Sequence, residues 1–231
     1  MDLESFNTSR ESLVPLLALN NKSNKNIIIF PTDKEAIEFS TDFSNLNKNI
    51  FHLPSWDTLS YDSFVPSFDI QGKRLEIAHL LLTNNNYNIA TSIKAISQRI
   101  YFEELEICKI ELNEEIDFDS LIENLIHLKY QRKDRVESKG SFAIRGGQLD
   151  VYPINYDLPL RVIFDGDLVN EIKTFDTISQ RSVSEKKDIL IVPATELFQI
   201  KHSDILNLSS DKKEILDDYE LFQYSQNLDL E

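Results

Sequence analysis

Glycine is scarce in this 231-residue chain: there are five, and none precedes Gly72. A phosphate-binding loop needs glycines so that backbone N–H groups can close on the oxygens, and a lysine to meet their charge. The first apolar run, NIIIF at 26–30, is followed by Pro31-Thr32-Asp33. A P-loop is thereby excluded where a nucleotide-binding α/β fold would place it, and no dinucleotide fingerprint occurs elsewhere. The single cysteine, Cys108, excludes an internal disulfide, and its setting in LEICKI marks a buried structural thiol. His52, His79, His127 and His202 lack metal-ligand spacing, so no metal site is expected. No nucleophile elbow surrounds a serine, and Asp165 and Asp167 bracket Gly166 as a turn would. Neither a catalytic residue nor a cofactor is expected.

Positive charge is also in short supply. Lys and Arg number 24 against 39 Asp and Glu, a formal charge of −15. A surface built to hold nucleic-acid phosphates must replace counterions with cations, so this balance speaks against one and for a protein partner, a basic one in the first place. The exception is local: QRKDR at 131–135, with Lys139, Arg145 and Arg161 beyond it, is basic. The acidic stretches at 111–119 and after 210 read as solvated faces. No run approaches the ~18 apolar residues of a membrane span. The opening MDLESFNTSR lacks the basic start and apolar run of a secretory signal, so a cytoplasmic location without membrane contact is expected.

The apolar pattern indicates two domains and a return segment. Over residues 1–104 helical faces (Leu13, Leu16, Leu17; Ala36, Ile37, Phe39; the region 73–82) alternate with short strands at NIIIF, NIFHL and YNIAT, the order of a parallel α/β sheet. Over 105–192 a helix at 118–130 stands among strands at LEICKIEL, QRKDRV, SFAIR, QLDVY, LRVIF, LVNEIKTF and DILIV, an α+β pattern of antiparallel hairpins. A helical stretch is expected over 193–231. Glu137-Ser138-Lys139-Gly140 predicts a hairpin from QRKDRV into SFAIR. Gly146-Gly147 fits either a two-residue turn or a bulge that bends one long strand, and the turn already present at Gly140 favours the bend. Trp56 and Tyr61 read as packing within the first domain in preference to a base-stacking platform.

Strand parity sends Phe142 and Ile144 inward and Arg145 outward; in LRVIF it sends Val162 and Phe164 inward and Arg161 and Ile163 outward. Two outward arginines fit one basic recognition surface, since a guanidinium grips a carboxylate bidentately. Taken by themselves the residues favour the other reading, two ion pairs within their own domain, worth only ~0–1 kcal/mol each at a surface.

Five stretches occur together in one order: LPSWDTLSYDSFVPSFDIQGKRL at 53–75, GSFAIRGGQLDVYP at 140–153, LPLRVIFDGD at 158–167, FDTISQRS at 175–182 and VPATE at 192–196. Through them the chain, over roughly 26–196, resembles the amino-terminal UvrB-like module of the bacterial transcription-repair coupling factor Mfd family. The resemblance implies a degenerate RecA/helicase-like parallel-sheet domain followed by an inserted α+β domain that docks on UvrA in nucleotide excision repair. It implies no enzymatic activity for the module itself. Motor and RNA-polymerase-binding domains follow in that family, so contacts with DNA and RNA polymerase would run through domains absent here. A further reading is a regulatory surface, the same basic face being masked by another domain of the same protein. The family's UvrA-contacting arginines correspond to Arg145 and Arg161. Its aromatic contact falls on Asp165, next to Phe164, which would substitute for it if a bulge turned it outward. Gln180 and Arg181 read either as contacts or as a hydrogen-bonded turn. The other reading is a UvrB-like damage-verification protein that binds nucleic acid directly; the missing P-loop favours the first.

Overall fold

The computed structural model describes residues 25–45, 50–58, 65–98 and 105–196. The leading helical face, Tyr61, His202 and the helical stretch expected beyond 196 lie outside the described residues. The chain divides into two compact units, one formed by 1–55 and 79–99, the other by 56–78 and 100–231.

In the first unit, β1 (Lys25–Phe30), β2 (Phe51–Leu53) and β3 (Tyr87–Ser92) form a parallel sheet in the order β1-β3-β2. Helix α1 (Asp33–Ser44) starts at Thr32, whose hydroxyl accepts the Glu35 N–H at 3.3 Å and donates to the Glu35 carboxylate at 2.9 Å, a reciprocal cap that satisfies an otherwise orphaned donor. The i, i+3, i+7 spacing of Ala36, Phe39 and Phe43 turns one stripe of α1 onto Phe30 and Ala90. Ring centroids lie 5.0 Å apart for Phe30–Phe39 and 5.6 Å for Phe39–Phe43. Helix α3 (Ile93–Ser97) is capped by Ser92, which accepts the Ala95 N–H at 3.0 Å.

The turn from β1 into α1 carries a carboxylate. Asp33 accepts the Ser55 hydroxyl and, at 3.4 Å, the Ser55 N–H. Burial pushes its carboxyl up, but hydrogen bonds from Ser55 and Ser92 outweigh that and hold it below the usual range. A depressed folded-state value means that this stabilisation is complete above the unfolded value, about 3.9, and is lost as pH falls through the folded one. Asp33→Asn is accordingly expected to lower stability at neutral pH, with the gap to the unaltered protein closing below about pH 4. Urea melts at pH 7 and pH 3 check this; a gap that is the same at both would refute it.

The second unit is built on a six-stranded sheet in the order β10-β9-β8-β7-β6-β5. Its strands are β5 (Gln131–Arg132), β6 (Ser141–Arg145), β7 (Gln148–Tyr152), β8 (Leu160–Asp165), β9 (Leu168–Phe175) and β10 (Ser182–Glu185). Strands β6 to β10 form an antiparallel meander. On the inner face Phe142, Leu149, Val151, Leu160, Val162 and Phe164 pack with Leu121, Ile122 and Leu125 of α4 (Phe118–His127). A two-stranded antiparallel sheet, β4 (Cys108–Glu111) with β11 (Asp188–Ile191), adds Ile110, Ile189 and Ile191 to this core. Cys108 is buried there, and burial pushes its thiol up to about 11, which keeps it protonated and inert. Among the described residues no helix is long and apolar enough to cross a membrane.

Three expectations change. QRKDRV does not form a hairpin with SFAIR: β5 pairs with β6 in parallel, Gln131 beside Ser141. The cause is Val136, which is buried with Ala143 and Phe175 on the outer face of the sheet, so that the chain crosses that face instead of doubling back at Gly140. Gly146-Gly147 is a turn and not a bend, since Arg145 and Gln148 face each other in the β6–β7 ladder. The stretch 56–78, which the helix–strand alternation groups with the first domain, belongs to the second compact unit. It contains the first part of helix α2 (Phe68–Thr83), where Leu75 packs on Ile154 and Val192.

Candidate protein-interaction face

The outer face of the six-stranded sheet begins at the glycine pair. Gly146 has φ 61 and open space around it, while a Cβ on Gly147 would stand 2.9 Å from the Phe164 carbonyl oxygen. A positive angle at the first of two central residues suits a tight hairpin, and a bare second residue lets β7 close on β8. Phe164 N–H donates to the Gly147 carbonyl at 2.8 Å. Ladder pairing then sets the parity: Arg145, Gln148 and Ile163 lie in one row, Ala143, Asp150 and Arg161 in the next. The two arginines share a face, with Cα atoms about 12 Å apart by strand and residue spacing.

Their environments differ. Arg145 is exposed, with Nη2 donating to the Asp134 carbonyl at 3.1 Å. Arg161 has a side chain only 15% exposed and forms a fork on Asp150, Nε to Oδ1 at 2.7 Å and Nη2 to Oδ2 at 2.8 Å. Its guanidinium lies 4.4 Å from the centroid of the buried Phe175 ring. It also donates to Gln180, Nη1 to the carbonyl at 3.4 Å and Nη2 to Oε1 at 3.3 Å. The carboxylate of Asp150 raises the Arg161 pKa further through that hydrogen bond, so this cation is permanent.

These contacts close a circuit. Gln180 Nε2 donates to the Thr177 carbonyl at 2.8 Å, the same oxygen that accepts Arg135 Nη2 at 2.7 Å. Arg135 follows Asp134, whose carbonyl takes Arg145, and Gln148, opposite Arg145 in the ladder, donates to Asp150 at 3.0 Å. The crossover loop, the β9–β10 turn and three strands are thus linked by polar contacts around the small apolar cluster of Val136, Ala143 and Phe175.

Of the remaining candidates, Asp165 is exposed at the β8–β9 turn, where Gly166 takes φ 63. Phe164 stays inside. The β8–β9 register does shift between Ile163 and Phe164, yet the ring is 7% exposed and meets Phe118 edge-on at 5.0 Å. The face therefore carries no aromatic from β8. Asp150, Gln148 and Phe175 were missed as members; their parity in QLDVY and LVNEIKTF places them beside Arg161 once the strand order is known.

Trp56 is buried, which a base-stacking platform could not be. Buried in the second unit, it donates from Nε1 to Glu196 at 2.8 Å, while Arg74, fully buried, donates from Nε to both oxygens of Glu196 at 2.7 and 3.0 Å. Gln71 Oε1 accepts the Glu196 N–H at 2.8 Å. Burial pushes the Glu196 carboxyl up, and Arg74 and the Trp56 N–H pull it back.

Residues 108–197 match the model of the UvrB interaction domain. The transcription-repair-coupling factor of Escherichia coli (strain K12) is 29% identical over 174 residues, 74% of this chain and 15% of the relative. That of Myxococcus xanthus is 31% identical over 158 residues, 67% of this chain and 13% of the relative. UvrABC system protein B of Thermosipho africanus (strain TCF52B) is 22% identical over 215 residues, 85% of this chain and 32% of the relative. The chain thus spans about a seventh of the coupling factors that it matches and about a third of that UvrB protein. Residues 108–197 are a UvrB interaction domain, and the chain is a homologue of the transcription-repair-coupling factors and of UvrB.

Proposed function

We propose that this chain is a non-catalytic docking module that recruits UvrA to a transcription-coupled nucleotide excision repair factor. In this reading residues 105–192 dock, and the first domain is a degenerate RecA-like fold that holds no nucleotide. The observation that carries the reading is the polar circuit around Arg161, with Arg145 exposed on its hairpin, on the sheet of the region matched to a UvrB interaction domain. Support comes also from the β1–α1 turn, where Asp33 places a carboxylate at the mouth of the helix. An anion there repels the phosphate that a helix N-terminus would otherwise attract.

The purified chain is expected to bind purified UvrA, and Arg145→Glu to weaken that binding about 10- to 100-fold, the range for an interfacial arginine whose charge is reversed. Arg145 is exposed, so its replacement leaves the melting temperature nearly unchanged. Calorimetric titration measures the first and thermal unfolding the second. ATP hydrolysis, or tight salt-sensitive DNA binding with no affinity for UvrA, would overturn the reading in favour of a UvrB-like damage-verification protein.

A further inference from the structure

Four of the five N–H groups of Arg161 are engaged within the chain, by Asp150 and Gln180. An arginine so committed has little left to give a partner. What it holds is the β9–β10 turn at 176–181. Gln180, at φ 58, donates its N–H to the Asp176 carbonyl at 2.8 Å; Asp176 N–H donates to the Arg181 carbonyl at 3.0 Å, and Ser179 N–H to Asp176 Oδ1 at 2.7 Å. This fixed turn lifts Ile178 to 87% exposure, the largest value among the exposed large hydrophobic residues described. Exposed Arg181 ends the turn, and exposed Arg135 and Arg145 follow along the circuit. Two carboxylates of this face are spent internally, Asp150 on Arg161 and Asp176 on Ser179, and Glu137 answers Arg135 only at 3.8 Å.

We infer that Arg161 is a positioning residue and that the turn it holds is the docking element: Ile178 enters an apolar pocket on a protein partner, and carboxylates at the rim of that pocket meet Arg181 and Arg145. This rests on the docking role proposed above and specifies which atoms perform it. A fixed turn with an apolar tip suits binding because its ordering cost is already met in the free protein. The complementary rim is acidic because three exposed arginines, Arg135, Arg145 and Arg181, outnumber the exposed Asp134 and Glu137 of this circuit.

Two measurements on the full chain test it. Hydrogen exchange needs no partner: Arg161→Lys keeps the charge but loses the fork, and is expected to speed exchange of the Ser179 and Gln180 amides about tenfold while the β6–β8 amides stay protected. Unchanged exchange at those amides overturns the positioning role. Titration with purified UvrA reads the docking half. Ile178→Asp, on an exposed side chain, is expected to weaken binding at least tenfold with no change in melting temperature. Adding Arg161→Lys to Ile178→Asp should weaken it little further, because both act through one turn. Unchanged affinity in Ile178→Asp overturns the anchor alone, and additive losses show Arg161 in direct contact. No binding by the unaltered chain overturns the docking role itself, whatever the exchange result.

Discussion

Glu196→Ala is expected to lower stability by about 3–5 kcal/mol, the cost of breaking a buried ion pair by removing one partner. That is a large share of the ~5–15 kcal/mol that keeps a domain folded. Arg74 is fully buried and Glu196 is 4% exposed, so bulk water does not reach the pair without opening the unit. The same substitution removes the acceptor of the Trp56 indole. Trp56, the chain's single tryptophan, reports the transition by fluorescence during urea unfolding. Replacing both charges, Arg74→Met with Glu196→Leu, should recover most of the loss, since neither charge then needs desolvation. A loss under about 1 kcal/mol in Glu196→Ala would mean that the pair is solvated.

Gly72→Ala sets two effects of opposite sign against each other. In an ordinary helix interior the change would stabilise by about 1 kcal/mol. At Gly72 a Cβ would lie 2.5 Å from the Ile154 carbonyl oxygen, 2.8 Å from its carbon and 2.9 Å from the Asn155 Cα. All three are backbone atoms and cannot swing aside, so helix and turn must separate at the overpacking cost of about 1–3 kcal/mol. The clash is expected to win, and Gly72→Val, with two more carbons, to lose more than Gly72→Ala. Chemical denaturation of the two variants measures this; a stabilised Gly72→Ala would show that α2 does not lie on the 154–155 turn.

How much of this was legible depended on the range of the interaction. Alternation in SFAIR and LRVIF assigned faces correctly, because side-chain direction in a strand is a local property. LVNEIKTF coincides with β9. The two-residue β5 was overdrawn as QRKDRV because its polar residues carry no period, and its direction is decided by Val136 reaching Phe175, far along the chain. Arg145 and Arg161 were placed on one face, but their difference was hidden: the partner of Arg161 is Asp150, visible only once β7 is known to lie beside β8. Phe164 illustrates the limit of a bulge argument, since the register slips there while the ring stays where the core needs it. The Trp56–Glu196 bond joins residues 140 apart and leaves no local trace.

The buried pair also bears on how such a module can change hands between genes. The contiguous stretch matched to the UvrB interaction domain ends at 197, yet Glu196 is neutralised by Arg74, which precedes that stretch by more than thirty residues. A recombination event that transplanted 108–197 alone would carry the anion and leave its cation behind. A piece that keeps the pair together is therefore discontinuous: it must carry Arg74, in QGKRL, along with the sheet.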